Sequence, residues 1–492
     1  MSAPARGGFI LIVAFLATAV FNYALGLLLA WVLPPASFGQ VSVLLAIFYL
    51  TAIVLDAGFP WTLARTVSRG GRLGEGEVAG AVRAALVGNL VFSVVIGILV
   101  LGIQRVGGFG MPREFDLPVL VVAIALPVFA FNAVGRSILH GSMRFGALGV
   151  VKSGEVVVKV VVVVTLIAVL GASSGAVAVG VLVGALAAAV SVAWLARDHR
   201  PRGGHRVPAT TYLRALPMFI GTVSLAAMLS VDVLALGANH SVVVGGAAVI
   251  GTYQVGSMVA RLPYFLGDAL INAVFPYMAR RHDSVVDSHA YFTVAARWAL
   301  LIVLPIEAIL LLNPTPILAL LFPATYAGAD TPIRILAIGA SLALATVFFA
   351  KGLQAIGRVG AAAAGTATGL VAEALVLVIL VPRLGAVGAA IGFLAGTASA
   401  SAILGIVYAR HQRQPLIAGR DAVRHIIAIA VMAPPLLLAR EAPAWIGIGS
   451  IGIALLAYVI AVFGTRLVSW HEIRRYLDIA GTTVGISGRV PR

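Results

Sequence analysis

The chain of 492 residues contains no cysteine, so disulfides, thiolate metal sites and a cysteine nucleophile are all excluded. Charge is also scarce. Only 11% of residues are Asp, Glu, Lys or Arg, against about 25% in a soluble domain. Lysine occurs three times, at positions 152, 159 and 351, and never after a glycine. That removes any phosphate-cradling GxxxxGK[ST] loop, and with it an ATP motor in this chain. The nine histidines do not fall at ligand spacing. What is abundant is apolar: 61% of residues are hydrophobic and the mean hydropathy is +1.06. Composition therefore makes this an integral membrane protein. The Arg-rich, Ala-, Gly- and Val-rich composition points to a G+C-rich bacterial genome.

An apolar helix of about 20 residues crosses the hydrocarbon core. Windows of that length recur near 9–33, 40–64, 79–103, 117–139, 148–170, 175–196, 213–237, 245–278, 289–312, 332–355, 360–382, 385–408, 422–439 and 444–466. The expectation is an all-α protein of fourteen spans. The first window is too long for a signal-peptide core and has no small-residue cleavage site after it, so it reads as a retained span. Most of the 34 Lys and Arg fall on the side shared by both termini, with Lys159 and Arg261 inside spans. The positive-inside rule then puts both termini in the cytoplasm. The net charge of +16 is spread over short inner loops such as ARDHRPRGGHR (196–206) and ARHQRQ (409–414), which suits anionic lipid headgroups and gives no reason to invoke nucleic acid.

The chain also repeats itself. FGQVSVLLAIFYLTAIVLDAGFPWTLAR, ending at Arg65, parallels IGTYQVGSMVARLPYFLGDALINAVFPYMAR, ending at Arg280. HGSMRFGALGV with GASSGAVAVG (140–180) parallels LQAIGRVGAAA with PRLGAVGAA (353–390). Six spans followed by six more give two lobes of the same orientation, related by a pseudo-two-fold axis along the membrane normal around a central cavity. The expected division is 1–200 for the first lobe, 201–415 for the second, 416–466 for two appended spans and 467–492 for a tail. In that tail Trp470, Ile473, Tyr476 and Leu477 share a helical face beside Arg474 and Arg475, the pattern of a short interfacial amphipathic helix.

LPPASFGQ after the first span, LDAGFPWTLAR closing the second, VDVLALG and IGTYQVG around the seventh and eighth, and LQAIGR with PRLGAVGAAIG further on resemble the multidrug, oligosaccharidyl-lipid and polysaccharide exporter superfamily. Within it, they resemble the bacterial polysaccharide-unit flippases. The resemblance covers roughly residues 9 to 410. It implies a secondary transporter, not an enzyme, that moves a polyprenyl-pyrophosphate-linked oligosaccharide from the inner to the outer leaflet of the bacterial plasma membrane by alternating access. No cofactor is expected, and a polysaccharide polymerase and glycosyltransferases are the candidate partners. The energy of a secondary transporter comes from an ion gradient, the membrane potential or removal of the flipped product, and Asp56, Asp232, Asp268 and Glu373 are the embedded acids available for a proton or sodium cycle. In LAWVLPP, Trp31 stands where many relatives carry a basic residue, so no substrate role is carried over to that position.

Ionisable residues inside a membrane are costly and should face a cavity or a partner. In IVLDAGFPWTLAR, Asp56 lies about 13 Å along the helix from Arg65. It reads either as a cavity carboxylate or as a clasp between helices, beside Gly58 and Pro60, which loosen the backbone. Asp232 sits near the end of the seventh span. Arg261 and Asp268 are seven residues apart with Pro263 between them; Arg261 suits a pyrophosphate, or a structural pair with Asp268 or another acid. Glu155 and Lys159 have the spacing of an intrahelical ion pair. Aligning the repeats on Arg144 and Arg358 nevertheless puts Lys159 and Glu373 at equivalent positions with opposite charge, as if lining the cavity from opposite walls. Asn22 and Asn132 are candidate donors to sugar hydroxyls or packing contacts.

Three alternatives stay beside the oligosaccharide flippase. A flippase for a lipid II-type peptidoglycan precursor would be expected to carry more cavity arginines than Arg261. A cation-coupled small-molecule exporter of the same fold would need only twelve spans. A membrane scaffold of glycan assembly would use its embedded charges only to join helices. A membrane-embedded glycosyltransferase would call for a long loop with clustered acids or histidines, which the sequence lacks.

Overall fold

Proline and glycine set most helix boundaries in the computed structural model, which describes residues 3–68, 75–171, 173–197, 212–239, 245–280, 285–412 and 419–468. Pro35 opens α2 at its first position, where its missing N–H costs nothing. Gly171 and Gly385 follow two long helices with φ of 85° and 54°, a conformation natural to glycine. Every regular element among the described residues is helical. The first half comprises α1 (Ala3–Val32), α2 (Pro35–Ala57), α3 (Phe59–Ser68), α4 (Glu75–Arg105), α5 (Asp116–Gly141), α6 (Phe145–Leu170) and α7 (Ser174–Leu195). The second comprises α8 (Leu216–Met228), α9 (Val231–Ala238), α10 (Ala247–Ala260), α11 (Leu262–Arg280), α12 (Val285–Leu312), α13 (Thr315–Leu321), α14 (Asp330–Ala355), α15 (Val359–Leu384) and α16 (Ala386–Gln412). Then come α17 (Gly419–Ala430), α18 (Ala433–Leu438) and α19 (Ala444–Gly464).

All fourteen expected windows coincide with helices, but the spanning count is lower. Among the described residues eleven helices are long and apolar enough to cross a membrane, and α8 with α9, bent by 53°, makes twelve. The other two windows supply only the shorter apolar stretches Leu16–Val32, Ala247–Ala260 and Leu262–Ile271 among the described residues. The reason in the second case is the break at Arg261, which divides the 245–278 window into α10 and α11. Four windows are divided in this way: at Gly58, at Leu229–Ser230, at Arg261 and at Val431–Met432. Gly58 and Pro60 account for the first, because glycine costs helix stability and proline cannot donate into the preceding turn.

The repeat in the sequence is a repeat of backbone. α6 and α15 have 26 residues each and begin after Arg144 and Arg358, whose backbone conformations match at φ −83°, ψ 60° and φ −90°, ψ 48°. A left-handed residue precedes each arginine, Met143 in one half and Gly357 in the other. The Arg144 N–H donates to the Leu139 carbonyl at 2.9 Å and the Arg358 N–H to that of Leu353 at 2.8 Å. The hairpin partners pack alike too: Gly180 and Gly184 of α7 meet Val163 and Lys159, while Gly392 and Gly396 of α16 meet Leu377 and Glu373.

The halves meet tightly at one end, where α2 crosses α10. A Cβ on Gly39 would stand 2.6 Å from the Ala247 carbonyl oxygen, and one on Gly251 would strike the Pro35 carbonyl, so only glycine lets the backbones approach this closely. Around this crossing the Trp31 indole N–H donates to the Leu321 carbonyl at 2.8 Å, and Tyr326 stacks edge-on against Phe38. The helices α17 to α19 form a separate apolar cluster with α12, built on Leu301, Met432, Leu436 and Tyr458. The amphipathic tail at 469–492 and most of the loop 196–206 lie outside the described residues.

Candidate functional site

Two polar clusters lie inside the apolar bundle, one in each half. In the first, Arg136 of α5 is 5% exposed and reaches two acids at once, Asp56 at 3.0 Å and Glu155 at 2.9 Å, with its guanidinium 4.4 Å from the Phe129 ring centre. Arg136 is one of the basic residues that the expectation of only Lys159 and Arg261 inside spans places in a loop. It is a buried residue within a helix, and Lys152 and Lys351, half-buried, also lie within helices, which corrects the placement of only Lys159 and Arg261 inside spans. Because Arg136 takes Glu155, the expected Glu155–Lys159 pair gives way. Lys159 instead donates to the Asn22 amide oxygen at 2.6 Å and to the Tyr49 hydroxyl at 3.3 Å, and Tyr49 donates to the same Asn22 oxygen at 3.1 Å. A cation 5% exposed is thus held by neutral oxygens.

In the second half the breaks create the site. At the bend between α8 and α9 the Leu229 carbonyl loses its helical partner, and Arg261, at the break between α10 and α11, donates to it at 2.6 Å. The other guanidinium arm pairs with Asp232, which also accepts from the Tyr253 hydroxyl. Asp232 is fully buried in the first turn of α9, where a carboxylate also meets the favourable end of the helix dipole. Phe393 faces the guanidinium, with the ring centre 4.4 Å away. The partner of Arg261 is therefore Asp232. Asp268, seven residues on, faces a different space. Glu373 is fully buried close to this cluster, and neither of its carboxylate oxygens accepts a hydrogen bond.

Between the halves, on the side of the bundle away from the Gly39–Gly251 crossing, lies a cavity of about 270 Å³. Its walls include Ile53 of α2, Met218, Thr222, Leu225 and Leu229 of α8, Tyr264 and Asp268 of α11, Lys351 and Gln354 of α14, and Thr366 of α15. Opposite charges, Asp268 and Lys351, attract each other across it. Arg261 does not line this cavity; it lies behind the wall at Leu229. Asn132 packs instead, donating to the Ala185 carbonyl at 2.8 Å.

The sequence thus singled out Asp56, Lys159, Glu373, Asp232, Arg261, Asp268 and Asn22, and the structure collects them into three polar places. It adds Arg136, Tyr49, Tyr253, Lys351 and Gln354. One signal for two of them was available: Lys351 and Gln354 lie three residues apart, one turn before the GR that opens the repeated hairpin. No cluster of three metal-ligating side chains occurs among the described residues.

A family model described as polysaccharide biosynthesis protein matches residues 28–329. No curated protein matches the chain. Among solved structures, the lipid II flippase MurJ in an inward closed conformation superposes with a TM-score of 0.73 at 14% identity, covering 92% of this chain and 98% of that one. An inward-facing multidrug resistance MATE family transporter of the MOP superfamily gives 0.62 at 18% identity, over 80% of this chain and 94% of that one. A MOP superfamily transporter from Pyrococcus furiosus Vc1, described by the reverse polarity of its binding pocket, gives 0.57 at 18% identity, over 83% of this chain and 96% of that one. At these identities the likeness is one of fold.

Proposed function

Because the chain belongs to the polysaccharide biosynthesis protein family, we propose that it carries a polyprenyl-pyrophosphate-linked oligosaccharide from the inner to the outer leaflet of the bacterial plasma membrane by alternating access. The observation that carries this reading is the cavity between the two halves, with Asp268, Lys351 and Gln354 set in a largely apolar wall, beneath an end sealed by Gly39 and Gly251. A sugar headgroup crossing hydrocarbon needs such a shielded polar space, because an unpaired polar group there costs several kcal/mol (~2–7). With both termini cytoplasmic, the sealed end faces outward and the cavity lies in the inner half.

Asp268 and Asp56 are the acids assigned to this path. Lys159, with Asn22, supplies positive polarity in the first half. Arg261 and Asp232 position the broken helices behind the cavity wall. The driving ion is a proton or sodium taken up by an embedded acid, and Glu373 is the leading one, since a buried carboxylate without a hydrogen bond calls for a proton or cation. A polymerase and glycosyltransferases supply and consume the cargo, and no enzymatic step is assigned to this chain.

A lipid II-type cargo is the second reading, and the extent of the MurJ superposition favours it; against it, no arginine among the described residues lines the cavity. Mass spectrometry of polyprenyl lipids from cells with and without the protein, with a membrane-impermeant glycan-modifying reagent to report the leaflet, decides. Accumulation of a shielded polyprenyl-pyrophosphate oligosaccharide is expected on deletion. Unchanged glycolipids would reject the flippase.

A further inference from the structure

The cavity between α8, α11 and α14 contains chemistry the charge clusters do not. Its polar side chains are one acid, one amine, one amide, two threonines and the tyrosine Tyr264, set among Ile53, Leu225 and other apolar walls. Asp268 and Lys351 balance each other. Gln354 lines the wall with its amide; the amide oxygen itself is shut off from the cavity and accepts no hydrogen bond from the protein, although a buried acceptor left unmade costs about 1–3 kcal/mol. Arg261 is turned away: it is spent on Asp232 and on the carbonyl of Leu229, whose residue forms part of the wall.

A site built for a pyrophosphate would direct an arginine fork or several cations inward. This one has no net charge, offers donors and acceptors side by side, and exposes apolar surface between them. That is the complement of a pyranose ring, which carries hydroxyls on its rim and C–H groups on its faces. The volume of about 270 Å³ is at the small end for ligand pockets, which limits the fit to a short saccharide rather than a whole lipid-linked unit.

Resting on the flippase reading above, we infer that this cavity is a sugar subsite. It takes an uncharged saccharide unit of the headgroup, with Asp268 accepting from hydroxyls, Lys351 and the Gln354 amide N–H groups donating to them, and the pyrophosphate lying outside it. The cargo therefore enters sugar-first against the second half, and sugar preference is set by α11 and α14, not by Arg261.

The test uses the full chain in detergent and native mass spectrometry with three probes: the polyprenyl-pyrophosphate oligosaccharide extracted from cells lacking this protein, bare polyprenyl pyrophosphate, and phosphatidylglycerol. The expected result is that the sugar-bearing lipid binds more tightly than the bare one. Gln354→Leu should lower that preference about tenfold, the equivalent of one strong hydrogen bond, while leaving the bare lipid unaffected, and Thr222→Val should lower it less. Binding of the bare lipid in the same sample reports that each variant is folded. A preference unmoved in both variants, or an equal loss of both lipids, would overturn the subsite and leave the flippase standing. If neither polyprenyl lipid binds better than phosphatidylglycerol, the flippase reading falls and the subsite with it.

Discussion

The two halves of the molecule share a hairpin and differ in sign. Lys159 and Glu373 occupy the same place in α6 and α15, fifteen residues after Arg144 and Arg358, and each is pressed by a glycine of the following helix, Gly184 or Gly396. Yet the lysine is wrapped by neutral oxygens from α1 and α2, whereas the glutamate has no hydrogen-bond partner at all. Small residues fix the geometry of such a helix pair, and the charge at its centre is chosen separately. A duplicated fold can in this way acquire halves of opposite polarity without changing its backbone.

The comparison breaks most readily at its arginines. Arg261→Ala strands Asp232, fully buried, and should destabilise by about 3–5 kcal/mol, the usual outcome of removing one member of a buried ion pair. Arg136→Ala should cost less although it frees two acids, because the Asp56 side chain is 38% exposed and can find water. Thermal unfolding of the purified variants gives the order; equal losses would mean that exposure of Asp56 does not relieve it.

Gly184→Ala and Gly396→Ala probe the shared hairpin. The new methyl would lie 2.7 Å from the Glu155 carbonyl oxygen in one half and 3.0 Å from that of Gly369 in the other. Overpacking of this kind costs about 1–3 kcal/mol, and similar falls in melting temperature are expected in both halves. Lys159→Met and Glu373→Gln then separate the two polarities. The first leaves Asn22 and Tyr49 bonded to each other and should cost about 1 kcal/mol. The second removes an unbonded charge at constant volume and should leave stability unchanged or raised. Both should impair transport in a leaflet assay, and exchanging the two residues shows whether the polarity of the halves matters or only the presence of both charges. Normal transport in every variant would remove these residues from the mechanism.

The smallest effect expected is at the turn before the hairpin. Met143 adopts φ 59° where Gly357 stands in the other half, so Met143→Gly should stabilise by up to about 1 kcal/mol and Gly357→Ala should do the reverse.

The long helices were legible because hydropathy and proline agree with them: the windows 117–139, 148–170 and 175–196 become α5, α6 and α7 with shifts of three residues or fewer. The breaks at Leu229–Ser230 and Arg261 were not legible as breaks. Apolar residues continue on both sides of each, and the backbone tolerates the interruption only because Arg261 reaches Leu229 across 32 residues of sequence. The site was legible in the same unequal way. Asp56 and Lys159 stand out as charges in apolar runs, but their partners Arg136 and Tyr49 lie 80 and 110 residues away. Such pairings follow from topology, which a single sequence does not display. Arg136 was further disguised by lying near the end of its window.

The Gly39–Gly251 crossing has an electrical consequence. Backbones that approach until a methyl group cannot fit leave no room for a thread of water, so that end of the bundle is an insulator. An energised membrane stores roughly 2.3 kcal/mol per elementary charge for each 100 mV across it, and every proton leaking through a membrane protein dissipates that store. In a protein with polar clusters in both halves, two hydrogen side chains where the helices cross are what keep the battery from draining.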